Sequence, residues 1–355
     1  MNFSLSDVKR VKQTAPLRRL RTWAGRSLMS VAVMVTCSGA GAATAGDFMD
    51  DPQVKAFMGE MQKEHGFSQQ ELQGWLSQAK KQQSILDAIS RPAEKTKTWA
   101  EYRKIFVTRS RIGKGVDFWQ QNREALTRAE ETYGVPAEII VAIIGVETRY
   151  GQHMGNYRVM DALSTLAFAY PPRSPFFTKE LREFLILTRE QQRDPLSLKG
   201  SYAGAMGFGQ FMPSSYRAYA ADFDGDGLID IWENREDAIG SVANYFVRHG
   251  WKKDEPVVVR MRTRSGYDSS VLNDSLKPLH TVASLEEKGY TPINTLPGDE
   301  KATAIELEGE HGTEFWMGLT NFYAITRYNH SRLYAMAVYQ LSQEILQAKE
   351  QADKS

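Results

Sequence analysis

The chain of 355 residues carries 44 basic and 43 acidic side chains, a net charge of +1, and is 42% hydrophobic and 25% charged. This is globular composition, enough for one large domain or two modest ones, and it excludes disordered, collagenous and coiled-coil classes. Seven basic residues and one acidic residue fall in the first 45, so the rest holds 37 against 42, a net of −5. A mildly acidic body gives no reason to expect nucleic acid as a partner.

The N-terminal segment has its own character. Lys9, Arg10, Lys12, Arg18, Arg19, Arg21 and Arg26 come first, an apolar run over residues 28–35 follows, and small residues lead to Ala43-Thr44-Ala45. A basic region, a short apolar region and a small-residue site predict a secretory signal over residues 1–45 and a periplasmic destination. The apolar run is far shorter than the about 20 residues a bilayer span needs. An uncleaved amphipathic anchor is the rival reading. Cys37 is the only cysteine, so the body after it has no disulfide. Lipidation of Cys37, giving an outer-membrane anchor, is a second expectation, although Met34-Val35-Thr36 lacks the small residue usual before such a site.

Residues 46–122 read as a helical region. Val54, Phe57, Met58 and Met61 share one helical face, as do Leu72, Trp75, Leu76 and Ala79. Trp99, Tyr102, Phe106, Phe118 and Trp119 add core candidates. Residues 123–255 are helix-rich with glycine-heavy loops and hold the chemical signals. Residues 257–264, Val-Val-Val-Arg-Met-Arg-Thr-Arg, predict a strand that opens a small β subdomain over 256–319. Its arginines Arg260, Arg262 and Arg264 share a face, read either as solvated or as a hold for acidic peptides. Over 320–355 a helix returns from Ser331 to about residue 348, with Ala335, Val338, Leu341 and Ile345 at helical spacing. The fold class expected is mainly α (α+β), packed as one unit and monomeric.

Pro136 suits a first helical position, and Ile139 to Val146 is apolar on every side, which predicts a buried helix. Glu147 ends the run on the face of Ile140 and Ile143, near the negative end of the helix dipole. Both surroundings raise a carboxyl pKa, as a general acid working near neutral pH requires. The bland alternative is a structural glutamate paired with an arginine; Arg149, two residues on, would not face it.

Asp222-Phe223-Asp224-Gly225-Asp226-Gly227, with Glu233 after five more residues, fits an EF-hand-like calcium loop. Three crowded aspartates repel one another without a cation; the alternative is a solvated acidic turn. Glu233, Glu236 and Asp237 compete as the last ligand. Residues 200–213, Gly-Ser-Tyr-Ala-Gly-Ala-Met-Gly-Phe-Gly-Gln-Phe-Met-Pro, let backbone approach a ligand closely or pack tightly. No Lys-Ser/Thr follows, so this is not a phosphate loop, and Ser201, Gln210 and the aromatic residues suit a neutral sugar.

Together, Gly145-Val146-Glu147-Thr148-Arg149-Tyr150-Gly151, residues 200–216 with the acidic loop, residues 237–246 and residues 321–331 resemble the membrane-bound lytic murein transglycosylase B family over roughly residues 50–345. The resemblance implies a lysozyme-like core flanked by a helical and a small β domain, and an enzyme that cleaves the MurNAc-GlcNAc β-1,4 bond with 1,6-anhydro-MurNAc ends. It implies Glu147 as the sole catalytic carboxylate and a cleft lined by Ser201, Gln210, Phe211, Tyr245, Tyr328, Asn329 and Tyr334. One structural Ca²⁺ is implied on Asp222, Asp224, Asp226, the backbone of Leu228, and Asp237, with Glu233 a competing ligand because the intervening segment is one residue longer than in some relatives. Arg173 stands where some relatives have one of two adjacent arginines, and is the remaining hold for peptide stems. Peptidoglycan strands, and other cell-wall enzymes, are the partners implied. A hydrolytic muramidase and a non-catalytic wall-binding scaffold are the rival functions.

Overall fold

The computed structural model describes residues 46–90 and 97–354; the expected signal and Cys37 lie outside the described residues. Helix follows helix to residue 248, a five-stranded antiparallel sheet intervenes, and two helices return to the core. This is the mainly α fold with a small sheet that the patterning suggests.

The helical region begins where local signals start it. Asp51 caps Pro52–His65, and Gly66 ends that helix in the left-handed conformation. Reciprocal capping boxes open the next ones: Ser68 with Glu71 before Gln69–Leu76, and Thr98 with Glu101 before Trp99–Phe106. Val54, Phe57, Met58, Met61, Leu72 and Leu76 are all buried. Pro52–His65 lies against Ser174–Glu190, and the helix Gln83–Ser90 against Val159–Ala169. Asp161 fixes part of that contact: its carboxylate accepts from Lys80 N at 2.9 Å and pairs with Arg158 at 2.7 Å.

In the sheet the order is His280–Thr281, Lys301–Gly309, Gly312–Gly318, Val258–Thr263, Tyr290–Pro292. The Val258–Thr263 strand alternates as expected, with Val259 and Met261 buried and Arg260 and Arg262 exposed. Val259, Met261, Val282, Leu285, Tyr290 and Met317 form a core separate from the main one. A single side chain closes the neck of this subdomain. Asn321 is fully buried; it accepts from Lys252 N at 2.7 Å and donates to Lys252 O at 2.8 Å and Glu255 O at 2.7 Å. The segment leaving the helical core is thereby tied to the first turn of the returning helix Thr320–Tyr328.

The final helix, Arg332–Asp353, packs on the core helices Arg109–Gln121 and Ala137–Thr148 and runs five residues beyond its expected end; the added turn is largely exposed and is spanned by the Lys349–Asp353 ion pair at 2.6 Å. Ser331 is its N-cap.

Replacing Asn321 with Ala removes its three hydrogen bonds to the backbone of Lys252 and Glu255. We expect a loss of about 2–3 kcal/mol in unfolding free energy, measured by urea denaturation; a loss under about 0.5 kcal/mol would show that the neck does not depend on it.

Candidate active site

The helix Ala137–Thr148 is the foundation of the site. Every residue from Ile139 to Val146 is buried, so the core fixes its position on all sides. Pro136 stands one place earlier than expected: it is the N-cap, with φ −57° but an extended ψ of 139°, so its ring sets φ while the helix starts at Ala137. At the other end Arg149 and Tyr150 both take left-handed conformations, φ 51° and 62°, and their N–H groups donate back to Gly145 O and Ile144 O. This non-glycine strain is held by packing. The Tyr150 hydroxyl donates to Arg111 O at 2.8 Å, and its ring lies over Gly145, where a Cβ would fall 2.5 Å from that oxygen. Buried Thr148 accepts from Gly151 N at 3.0 Å, and its hydroxyl lies 3.0 Å from Phe208 O. The Glu-Thr-Arg-Tyr-Gly run therefore stops the helix one residue beyond the acid and ties it to the glycine loop.

Glu147 opens onto a cleft of about 420 Å³. Ser201, Gln210, Tyr328 and Asn329 line it, with residues 152–157 forming another wall. Glu147 is the only carboxylate among the described lining residues. The Tyr334 hydroxyl, buried on the final helix, donates to Glu147 Oε1 at 2.5 Å. Burial pushes the Glu147 carboxyl up to about 7, a rise that the Tyr334 hydrogen bond opposes. Among the described residues no cation pairs with it, so the arginine-paired alternative finds no support. Burial also holds the Tyr328 and Tyr334 hydroxyls well above their ordinary range, and the two stay protonated as donors.

Residues 200–213 fold as a coiled strap. Ser201 N donates to Ala205 O at 2.8 Å, Met206 and Phe211 exchange backbone hydrogen bonds, and the Tyr328 hydroxyl donates to Gly209 O at 2.5 Å. Gln210 has φ 51°, which turns its amide to donate to Met154 O at 3.1 Å and Gly207 O at 3.0 Å. Across the cleft Gly155 passes so close to the strap that a Cβ would lie 2.0 Å from Gly200 O.

The structure separates the residues expected around a sugar. Ser201, Gln210, Tyr328 and Asn329 face the cleft together with Glu147. Phe211 and Tyr245 lie behind Tyr328, with ring centroids 5.9 and 4.7 Å from it, and the Tyr245 hydroxyl donates to Arg327 O at 2.6 Å. Tyr334 meets Glu147 from the core side. Arg173 is not among the lining residues; its guanidinium lies over Phe176 and Phe177. Tyr202, one of the strap's aromatic residues, lines the cleft as well; Gln152, His153, Met154, Asn156 and Tyr157 also line it and were not singled out from sequence, since nothing in a loop of mixed polarity marks which residues a distant strap will face.

In the acidic loop, carboxylate oxygens of Asp222, Asp224 and Asp237 lie within 4.8 Å of one another. Asp237 is fully buried on the first turn of Arg235–Arg248, accepts from Phe223 N and Asp230 N at 2.7 Å each, and is raised by burial. The Asp226 carboxylate instead accepts from Leu228 N at 2.8 Å. Glu233 is exposed and outside the cluster.

A helical core presenting one buried acid to a cleft of sugar size defines a lysozyme-like glycan-cleaving enzyme. The family model described as transglycosylase SLT domain matches residues 49–343, and the chain belongs to that family, the lytic transglycosylases. It is 47% identical over 315 residues to membrane-bound lytic murein transglycosylase B of Escherichia coli (strain K12), covering 86% of each chain. Its structure matches the catenated lytic transglycosylase SltB1 of Pseudomonas aeruginosa with TM-score 0.82, at 57% identity over 84% of this chain and 98% of that one. It also matches Escherichia coli lytic transglycosylase Slt35 in complex with calcium, with TM-score 0.80, 48% identity, and coverage of 86% and 96%.

Tyr334→Phe removes the one hydrogen bond that favours the ionised acid, so the Glu147 pKa should rise further above about 7. The alkaline limb of the pH–rate profile should move to higher pH; a limb that stayed or moved down would show that Tyr334 does not set the acid.

Proposed function

We propose that the enzyme cleaves the MurNAc-GlcNAc β-1,4 bond of peptidoglycan and leaves 1,6-anhydro-MurNAc ends, with Glu147 as both acid and base. The observation that carries this reading is the single carboxyl, raised to about 7, in a cleft whose other described lining residues hold no acid. Glycosidases that hydrolyse with a protein nucleophile or a base-activated water use two carboxyl groups across the scissile bond. One acid suffices when the substrate supplies the rest. Protonated Glu147 donates to the leaving oxygen, and the substrate's own N-acetyl group supports the developing positive charge. Glu147, now ionised, takes the proton of the sugar 6-hydroxyl, whose oxygen closes on the anomeric carbon. Glu147 regains its proton, and no water is consumed. The Tyr334 hydroxyl stabilises the ionised stage, and Ser201, Gln210 and Asn329 offer polar atoms to the sugar. Membership of the lytic transglycosylases favours neither the hydrolytic muramidase nor the scaffold, and the product test separates all three.

For calcium, the clustered carboxylates of Asp222, Asp224 and Asp237 suit a hard cation that takes about six to eight oxygens. Asp226 and the Leu228 carbonyl complete the proposed set, with Asp237 favoured over the exposed Glu233. The loop precedes Arg235–Arg248 and lies apart from the residues lining the cleft, so the ion's proposed role is structural. That a matched relative was solved in complex with calcium supports a calcium site here. The N-terminal segment supports export to the periplasm; no helix among the described residues is long and apolar enough to cross a membrane.

Digestion of purified peptidoglycan should release muropeptides lighter by one water than hydrolysed ones; reducing ends would make the enzyme a hydrolase, and no release would make it a scaffold. Glu147→Gln should keep glycan affinity and lose activity by roughly a thousandfold or more; retained turnover refutes the assignment. Chelation should lower the melting temperature without altering the product; loss of cleavage in folded protein would give the ion a catalytic part.

A further inference from the structure

A second cavity, of about 520 Å³, lies where the helix Trp99–Phe106, the hairpin of Lys301–Gly309 with Gly312–Gly318, and the final helix meet. It shares no lining residue with the catalytic cleft. Its size falls in the range of small-molecule sites, which favour junctions between structural units.

Charge in its walls is neutralised in pairs. Arg103 pairs with Glu344 at 3.3 Å, Lys104 with Glu310 at 3.0 Å, and Arg260 with Glu314 at 3.1 Å. A charged ligand would have to compete with these pairs. The remaining polar lining is the amides, the aromatic residues and the imidazole of His311. Gln340, Gln343 and Gln347 follow one face of the final helix, beside Tyr339 and Trp316. Gln340 is held by Arg103 Nε at 2.6 Å, which leaves the exposed Gln343 and Gln347 amides to present a donor and an acceptor each. The Arg260 guanidinium covers Trp316 at 4.5 Å, and the Trp316 indole N–H donates to Glu314 at 3.1 Å, so this wall is rigid. Amides beside aromatic rings, with no uncompensated charge, complement hydroxyl and acetamido groups. The carboxylates here are unsuited to acid catalysis: each is ion-paired, and the Lys104 hydrogen bond holds Glu310 below its usual range, opposite to Glu147.

We propose that this groove is a second saccharide site, which holds an N-acetylated glycan segment without cleaving it. Holding a strand at two places on one rigid body raises the local concentration of substrate at the cleft. The benefit applies to long or insoluble glycan and not to short soluble strands.

The test uses the Glu147→Gln protein, chitotetraose as probe, and NMR of the tryptophan indole and glutamine amide signals. The Trp316, Gln343 and Gln347 signals should shift on titration, and Gln343→Ala with Gln347→Ala should abolish the Trp316 shift while cleft signals respond as before. In otherwise active enzyme, the same pair of substitutions should slow release from intact sacculi by about tenfold, the worth of two hydrogen bonds, and leave release from short soluble strands unchanged. Groove signals that stay still while the cleft saturates would overturn the proposal. So would a groove that answers only to an acidic wall peptide, or equal rates on sacculi.

Discussion

Everything in this molecule turns on one carboxyl group kept out of water. Glu147 sits at the end of a helix with no polar side, and desolvation there outweighs the one hydrogen bond that favours its charge. The cost falls on stability. Because the folded-state pKa is raised, the native protein binds an extra proton between the ordinary carboxyl range and about 7; stability is highest below that window and falls as pH rises through it. The surrounding structure must therefore hold the acid in place against its own preference for solvent.

Three parts of the chain do this. The left-handed turn at Arg149 and Tyr150 ends the helix next to the acid, and Thr148 fastens that end to the glycine strap. The final helix delivers Tyr334 from 187 residues away. The β subdomain interrupts the path between the core and these last helices, and Asn321 closes the gap at the neck, so that Tyr328, at the other end of the same helix, reaches Gly209. Core, strap, neck and final helix are thus parts of one cleft, although the sheet has a hydrophobic core of its own.

How much of this was legible in the sequence follows the range of the interactions. Local patterns were: the apolar run that ends in Glu147, the aspartates of the acidic loop and the alternation of the Val258–Thr263 strand all act within a few residues of themselves. Long-range pairings were not. The Tyr334–Glu147 contact and the triple clamp of Asn321 leave no periodic trace, and Tyr334 was reached only through resemblance to a family. Spacing alone left Glu233, Glu236 and Asp237 equal. The start of Arg235–Arg248 separates them, since Asn234 caps it and turns Asp237 inward while Glu233 stays in solvent.

The proposed reaction depends on the protonation of a single group, and that can be observed without substrate. Carbon-13 labelled glutamate, with the Glu147→Gln protein to assign the signal, would give the titration curve of the carboxyl directly. A midpoint near 7 is the expected result. A midpoint in the ordinary carboxyl range near 4.5 would mean that Glu147 is ionised at neutral pH and is not the acid that starts the reaction.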